Sequence, residues 1–214
     1  MHEEYTRIQL VKELKKAFYF FPFISRIKSL GRPIVSPMHK LIAAIPEKKR
    51  ILDIGCGTGA LLHLALKYRK ARYAYGYDIS EKVVDYSLNK LWTKKRCLIE
   101  YNKELPELKG FDVVTMTDVI HHIPISHQNI FLKSVADKLD YNGLFIIMDI
   151  DPSNLIGCYA NYLHDLIISN QWVHHRKPAD IIALLTDYGL KVLNVNITRS
   201  LWYYHYLIVA KKSL

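Results

Sequence analysis

The spacing of hydrophobic positions along the chain changes near Arg50. Before that residue, apolar side chains recur at helical intervals over residues 4–20, which predicts an amphipathic helix. Three prolines and a glycine then predict a connecting segment over residues 22–37, and a short helix follows over residues 38–45. The apolar positions of the first helix are Ile8, Val11, Leu14 and Phe18.

After Arg50, short apolar runs alternate with helical patterns. Strands that alternate with helices imply an α/β fold, in which a parallel sheet is covered by helices on both faces. The predicted helices span residues 60–69, 80–93, 127–140 and 178–188. The strands that alternate with them are predicted over Arg50–Ile54, Arg72–Tyr77, Arg96–Tyr101, Phe111–Thr115 and Gly143–Met148.

The C-terminal third departs from this alternation. Two late strands, predicted over residues 190–197 and 203–210, are about five residues apart, which is too short for a crossover helix, so one of them should run antiparallel. Residues 151–177 are rich in Tyr, His, Asn and Trp and fit neither pattern. We interpret them as an insertion after the fifth strand.

A glycine-rich turn, GCGTGA, follows the first strand and opens the next helix. Gly55, Gly57 and Gly59 permit positive φ and let a ligand approach the backbone. The spacing also satisfies a loose dinucleotide fingerprint, which is weak evidence by itself. Asp53, two positions before Gly55, would repel a pyrophosphate. It suits a ligand that carries an ammonium and a sulfonium, which is the chemistry of S-adenosylmethionine.

Polar residues also follow two other predicted strands. Asp78 ends the second strand, 23 positions after Gly55, where a carboxylate can accept both hydroxyls of a ribose. The segment over residues 111–124 places polar side chains just past the fourth strand. Ligands of open α/β sheets bind at this edge, beside the point where strand order reverses.

The ordered motifs LDIGCGTG, YGYDIS, FDVVTMTDVIHHIP and NGLFIIMDI resemble the class I S-adenosylmethionine-dependent methyltransferases. The resemblance covers about residues 50–150. It implies a Rossmann-like, mostly parallel seven-stranded sheet in the order 3-2-1-4-5-7-6, with strand 7 antiparallel. It also divides the chain into an N-terminal helical extension or lid (1–46) and a methyltransferase domain (47–214), in which residues 151–177 lie on the substrate side.

The same resemblance assigns S-adenosyl-L-methionine as the cofactor and gives roles to individual positions. Asp53 and the three glycines would hold its methionine part, with Cys56 packed in the same loop, and Asp78 would hold the ribose. Ile79 would pack on the adenine, and Asn102 stands where the family often has an acid for the adenine amino group. The methionine amino group would contact Thr117 or Asp118. These ten positions are Asp53, Gly55, Cys56, Gly57, Gly59, Asp78, Ile79, Asn102, Thr117 and Asp118.

Methyl transfer is an in-line displacement at an activated methyl, so alignment of the acceptor can supply about 7–11 kcal/mol. A hydroxyl acceptor also needs a base, worth about 10²–10⁴-fold. His121 and His122 are the candidates, with His122 preferred; the alternative is that one of them is a packing residue. His127 adds a third histidine, but the spacing matches no ligand pattern and no metal site is predicted.

The motif after the fourth strand restricts the chemical class of the methyl acceptor. It lacks the Asn/Asp-Pro-Pro-aromatic clamp of adenine methyltransferases, and no cysteine lies there to serve as a nucleophile. We therefore expect a small O-methyl acceptor with an apolar or lipid-like body, lined by Tyr162, His164 and Trp172 of the insertion. An ordinary helical cap with core aromatics is the alternative for that segment. An RNA methyltransferase or a catalytically silent cofactor-binding subunit remain alternatives for the whole chain.

Composition and charge limit the class of protein and the kinds of partner that the chain can bind. The chain has 214 residues, of which 50% are hydrophobic and 23% charged, which excludes a disordered or fibrous protein. Of its net charge of +10, residues 1–50 carry +7, from 11 basic and 4 acidic side chains. A basic, aromatic front end fits a lid over the cleft, peripheral contact with an anionic membrane, or RNA, which is the weakest of the three.

The spacing of the cysteines and the N-terminal residues predict the cellular compartment. Three distant cysteines form no CxxC pair, so no disulfide framework is expected. No signal-like or membrane-spanning segment is expected either. These features predict a cytoplasmic protein, with association at a membrane surface as an alternative.

Overall fold

The computed structural model describes residues 5–81, 96–102, 104–154, 157–159, 162 and 172–213. Its sheet has seven strands in the order 3-2-1-4-5-7-6, and β7 is antiparallel to both of its neighbours, as predicted. The strands are β1 (Arg50–Ile54), β2 (Tyr73–Asp78), β3 (Cys97–Tyr101), β4 (Phe111–Thr117), β5 (Leu139–Ile150), β6 (Leu190–Ser200) and β7 (Tyr203–Lys212).

Helices lie before the sheet and between its strands. The described helices are α1 (Arg7–Ala17), α2 (Phe23–Val35), α3 (Met38–Ala44), α4 (Ala60–Tyr68), α5 (Ile125–Ala136) and α6 (Pro178–Asp187), with a single 3-10 turn at Ile120–His122. Residues 82–93 of the helix predicted over 80–93 lie outside the described residues. None of the helices in the described part of the chain has the length and hydropathy needed to cross a bilayer.

Alternate residues of the central strands face two separate cores. Ile51 and Val113 pack with α1, α3 and α4 on one face of the sheet. Leu52 and Val114, the next residues in each strand, pack with α5 and α6 on the other face. Because both faces are covered, these strands consist of nearly continuous apolar runs rather than alternating ones.

Strand β5 begins four residues earlier than predicted. The sequence signals a turn at Asn142 and Gly143, and the structure has an irregularity there, where the register between β4 and β5 shifts and Asn142 has φ +61°. A side chain at position 143 would approach the carbonyl oxygen of Asp140 to 2.9 Å. The glycine therefore permits a bulge inside a strand, where the sequence pattern predicted a strand end.

Helix α1 begins at a reciprocal cap. The Gln9 amide donates to Thr6 Oγ1 and the Thr6 amide donates to Gln9 Oε1, which satisfies two backbone donors at the helix start. Leu14 and Phe18 are fully buried against the core, as the helical period predicted. Ile8, however, is 67% exposed, because the buried face runs through Leu10 instead.

The predicted connecting segment over residues 22–37 is wrong, because most of it forms helix α2. Pro33 lies in the last turn of this helix, where its missing N–H removes only one intrahelical hydrogen bond. Ser29 and Pro33 are buried against the body of the protein. Tertiary packing thus outweighs the unfavourable helix propensity of Gly31 and Pro33, about 1 and 3 kcal/mol.

Candidate active site

The site lies where the carboxyl ends of three parallel strands meet. β1 pairs with β2 on one side and with β4 on the other, and both pairings are parallel. Strand order reverses at β1, and open α/β sheets bind their ligands at such a point, in the crevice between the loops after the two strands, which here are β1 and β4. The motif residues that follow β1, β2 and β4 therefore all lie at this edge of the sheet.

The loop after β1 is built from glycines in the left-handed region. Gly55, Gly57 and Gly59 have φ values of +70°, +54° and +81°. A Cβ at Gly55 would lie 2.3 Å from Val119 Cγ2, so this position is closed by the loop after β4. A Cβ at Gly57 would meet nothing within 4 Å. Gly57 therefore presents an open stretch of backbone.

Asp78, at the end of β2, is held against this loop. Its Oδ2 accepts the Gly57 amide at 2.8 Å, and its Oδ1 accepts the Ser80 amide at 2.9 Å. An ionised carboxylate offers about four acceptor positions, so about two remain for the hydroxyls of a ligand. Ile79, 64% exposed, and Asn102, also exposed, lie beside it at the ends of β2 and β3.

Asp53 is buried beneath the glycine loop and is 3% exposed. Thr115 Oγ1 donates to its Oδ1 at 2.7 Å. Burial raises the pKa of Asp53 to about 7, although the Thr115 hydrogen bond and the positive charge of Arg32 oppose the rise. Asp53 thus changes charge near neutral pH, and a cationic ligand nearby would favour its ionised form.

The end of β4 adds two polar groups to the crevice. Thr117 Oγ1 is buried and has no hydrogen-bond partner among the described residues. Asp118 follows with φ +53°, its Oδ2 3.4 Å from Nη1 of Arg32 and its Oδ1 3.6 Å from Nε2 of His205. A buried hydroxyl without a partner is costly, so this edge is suited to a polar ligand.

Helix α2 touches the crevice from the N-terminal extension. Ser29 and Thr58 share a hydrogen bond of 2.7 Å between their hydroxyls, and Arg32 reaches Asp118. The extension is therefore fastened to both loops that border the crevice. Cys56, in the same loop, is buried, and burial raises the pKa of its thiol well above the usual range, which disfavours the thiolate that a nucleophile requires.

The two adjacent histidines have different surroundings. His121 is 2% exposed, and its Nδ1 is hydrogen-bonded to Asp149 Oδ1. Asp149 is 1% exposed and also accepts the amides of Ile120 at 3.1 Å and Ile150 at 2.7 Å. Burial favours a raised pKa for Asp149, but the charge and hydrogen bond of His121 hold that pKa below its usual value. His121 is thus engaged by Asp149, and the neighbouring His122 is half-buried.

A buried glutamine ties the histidine turn to the segment after β5. Gln128 Nε2 lies 2.9–3.0 Å from the carbonyl oxygens of Ile120, Ile123 and His174, which share its two N–H donors. The His174 amide in turn donates to the His121 carbonyl oxygen at 2.6 Å. The sequence analysis missed Gln128 and Asp149. Asp149 could have been suspected from its place at the carboxyl end of β5. Gln128 lies within a predicted helix, and nothing in the sequence distinguishes it from an ordinary polar residue of that helix.

Three ligand-type side chains come together at this turn, in a combination the sequence spacing did not indicate. The candidate ligand atoms of His121, Asp149 and His175 all lie within 4.8 Å of one another. His127, which the sequence grouped with the other two histidines, is instead exposed on α5. Asp149 is already engaged by three protein donors, so its contact with His121 is explained by hydrogen bonding. The absence of a metal site stays a prediction.

Only part of the predicted acceptor lining is described. The rings of Tyr162 and Trp172 form an edge-to-face pair with centroids 5.4 Å apart, and Trp172 is 63% exposed. His164 lies outside the described residues. The two described aromatics are therefore close enough to contact one ligand.

A sheet of this order, with a glycine loop after β1 and an acid at the end of β2, defines the Rossmann-like class of folds that bind nucleoside cofactors. A family profile described as "Methyltransferase domain" matches residues 27–195. The chain belongs to that family, and its fold is that of the class I S-adenosylmethionine-dependent methyltransferases.

Similar proteins include both curated sequences and solved structures. An uncharacterized protein of Haemophilus influenzae is 31% identical over 146 residues, which cover 62% of this chain and 56% of that protein. The ubiquinone biosynthesis O-methyltransferase of Coxiella burnetii is 22% identical over 158 residues, which cover 69% of this chain and 65% of that enzyme. The matches thus span about half to two thirds of these relatives.

Magnesium protoporphyrin IX methyltransferase from Synechocystis PCC 6803, solved with bound S-adenosylhomocysteine, shares the fold. It aligns with a TM-score of 0.65 at 23% identity and covers 94% of each chain. At this identity the likeness concerns the fold alone.

Proposed function

We propose that this chain transfers the methyl group of S-adenosyl-L-methionine to an oxygen of a small acceptor with an apolar or lipid-like body. The observation that carries the proposal is the hydrogen bond from the Gly57 amide to Asp78, which fixes a carboxylate beside an open glycine loop. Family membership supports the reaction class. The distant O-methyltransferase relative supports oxygen as the atom methylated.

The donor set fits this cofactor. Open space above Gly57 accommodates a ligand against the backbone, and the spare acceptor positions of Asp78 suit ribose hydroxyls. Asp53 offers negative charge to the cationic methionine end, and Thr117 Oγ1 offers a buried polar atom that lacks a partner among the described residues. Bound there, S-adenosylmethionine supplies an activated sulfonium methyl. Ile79 and Asn102 would border the adenine.

His122 is our candidate for the base that removes the proton of a hydroxyl acceptor. His121 is engaged by Asp149 and fastens the 3-10 turn, so the turn can hold His122 in a fixed place beside the crevice. Histidine is the side chain best suited to accept a proton at neutral pH and pass it on, which is the chemistry that a hydroxyl acceptor requires.

We assign the N-terminal extension the role of a lid. The Ser29–Thr58 and Arg32–Asp118 contacts bring α2 against both loops of the crevice, so cofactor entry would require at least these two contacts to open. Tyr162 and Trp172, in the segment after β5, would close over the apolar body of the acceptor.

The test is transfer of labelled methyl from S-adenosylmethionine. The full chain is incubated separately with a lipid extract, a metabolite extract and total RNA. Label in the lipid or metabolite fraction supports the proposal, whereas label in RNA alone supports an RNA methyltransferase. Cofactor binding with label in none of the three supports a silent subunit.

The cofactor site is tested separately by calorimetry. Asp78→Ala should abolish detectable S-adenosylmethionine binding, because it removes both the ribose acceptor and the anchor of the Gly57 amide. Asp187→Ala, at the exposed end of α6, is the matched control and should bind like the unmodified chain. Equal affinity in the two variants would refute the site.

A further inference from the structure

Helix α2 presents its apolar side chains to solvent. Phe23, Ile24, Ile27 and Ile34 are 76%, 70%, 54% and 44% exposed. On a helix these positions share one side, and we call them the α2 stripe. A surface helix normally turns its apolar side toward the core, so α2 has the reverse orientation.

The opposite side of α2 is fixed to the protein by polar and small residues. Ser29 is 2% exposed and hydrogen-bonded to Thr58, Pro33 is buried, and Arg32 pairs with Asp118. Rotating the stripe inward would break these contacts and turn Ser29, Arg32 and Pro33 toward solvent. The exposure of the stripe is therefore built into the packing of α2.

Basic residues lie on α2 beside the stripe and on the neighbouring helix α1. Arg26 and Lys28 lie on either side of it along α2, and Lys12, Lys15 and Lys16 are exposed on the neighbouring α1. The acid of α1, Glu13, is engaged by His63 and Lys67 and so does not offset these charges at the surface. The surroundings of the stripe are accordingly positive, consistent with the charge of +7 over residues 1–50.

We propose that the α2 stripe is a docking surface for an anionic lipid bilayer. An apolar stripe flanked by lysine and arginine is the pattern of helices that lie in the membrane interface, where the apolar side enters the acyl boundary and the cations meet lipid phosphates. This charge complementarity favours a membrane over an uncharged apolar partner. Docking would hold the glycine loop one helix diameter from the lipid surface, since α2 touches Thr58 with its other side.

The proposal extends the function above but does not depend on turnover. The sequence pointed to a basic, aromatic front end within residues 1–50, and the proposed contact surface lies on α2, within the segment expected to be a connection. The same surface would bring the crevice to a lipid-like acceptor without a spanning helix.

The test is co-sedimentation of the full chain with vesicles. Vesicles of phosphatidylcholine mixed with phosphatidylglycerol should retain the chain at least about tenfold better than vesicles of phosphatidylcholine alone, and salt should weaken this retention. Equal retention by both vesicle types, or by neither, would overturn the proposal.

Two pairs of variants test the surface itself. The double change Ile24→Ser and Ile27→Ser should reduce retention at least about tenfold, whereas Ile130→Ser, which alters a 71% exposed isoleucine on α5, should not. Lys28→Glu should weaken retention on anionic vesicles, whereas Lys191→Glu on β6 should not.

Two further results would count against a membrane. Loss of retention in the control variants to the same degree would show that the stripe has no special role. Analytical ultracentrifugation gives the other check: if the chain forms a dimer that the double change dissociates, a second copy is the occupant and the membrane proposal is wrong.

Discussion

The charge of Asp53 should make cofactor binding depend on pH. Because burial raises its pKa to about 7, about a tenth of the free protein carries an ionised Asp53 at pH 6 and about nine tenths at pH 8. If the cationic cofactor selects the ionised form, its affinity should rise about tenfold between these pH values. Binding near pH 6 should also release protons, because it shifts the carboxyl toward ionisation.

Isothermal titration calorimetry with S-adenosylmethionine at pH 6, 7 and 8 measures both effects, in buffers of different ionisation enthalpy. The amino group of the cofactor also titrates in this range, so Asp53→Asn supplies the reference. The tenfold rise should be absent from the variant. Thr115→Val, which removes the hydrogen bond that opposes the raised pKa, should move the rise to higher pH.

The raised pKa of Asp53 should also make the stability of the chain depend on pH, but in the opposite direction to cofactor affinity. The folded chain holds a proton on Asp53 up to about pH 7, whereas the unfolded chain loses it near its ordinary value of 3.8. The unfolding free energy relative to Asp53→Asn should therefore fall as pH rises from 4 to 7, by up to about 4 kcal/mol. A pH-independent affinity together with a pH-independent difference in stability would refute the reasoning.

Further predictions concern the histidine turn and the glycine loop. His121→Ala should cost about 3–5 kcal/mol in urea unfolding, because it leaves a buried carboxylate without its partner. His122→Ala should cost less than about 1 kcal/mol while reducing kcat about 10²–10⁴-fold at unchanged cofactor affinity, and the reverse pattern would make it the structural residue. Gly57→Ala, into open space, should cost only the about 1–2 kcal/mol of left-handed backbone strain and weaken cofactor affinity at least about tenfold, whereas Gly55→Ala adds a clash with Val119 and should cost more. Gln128→Ala should cost about 2 kcal/mol, about 1 for each of the two N–H donors that the three carbonyl oxygens share, and hydrogen exchange should quicken over residues 172–177 if the glutamine holds that segment.

Much of the fold could be predicted because its signals are local. A buried strand, a glycine turn and a helix start are contiguous between Arg50 and Tyr68, so the motif itself fixes their geometry. The short connection after β6, which is only Leu201 and Trp202 in the structure, predicted that one of the two late strands runs antiparallel, and the family resemblance identified that strand as β7. The acid at position 78 was placed correctly at a strand end, since strand length and motif agree.

The parts that could not be predicted depend on tertiary contacts. Helix α2 carries two helix breakers, and only its packing on Thr58 and Asp118 reveals why it forms. The hydrogen bond between His121 and Asp149 joins residues 28 positions apart in the sequence. No local pattern in the sequence distinguishes His121 from its neighbour His122. For the same reason, the sequence could nominate two histidines but could not separate an anchor from a candidate base.

The position of β7 has a consequence for synthesis. It lies between β5 and β6 in the sheet, although β6 leaves the ribosome first. Strand β5 must therefore wait for roughly 50 more residues, or about 3–10 seconds at ordinary translation rates, before its open edge is paired. During that interval the crevice strands can already be complete while an apolar edge remains exposed. Newborn chains should be most prone to misassociation in this interval, and slowing translation over residues 151–203 should lengthen it.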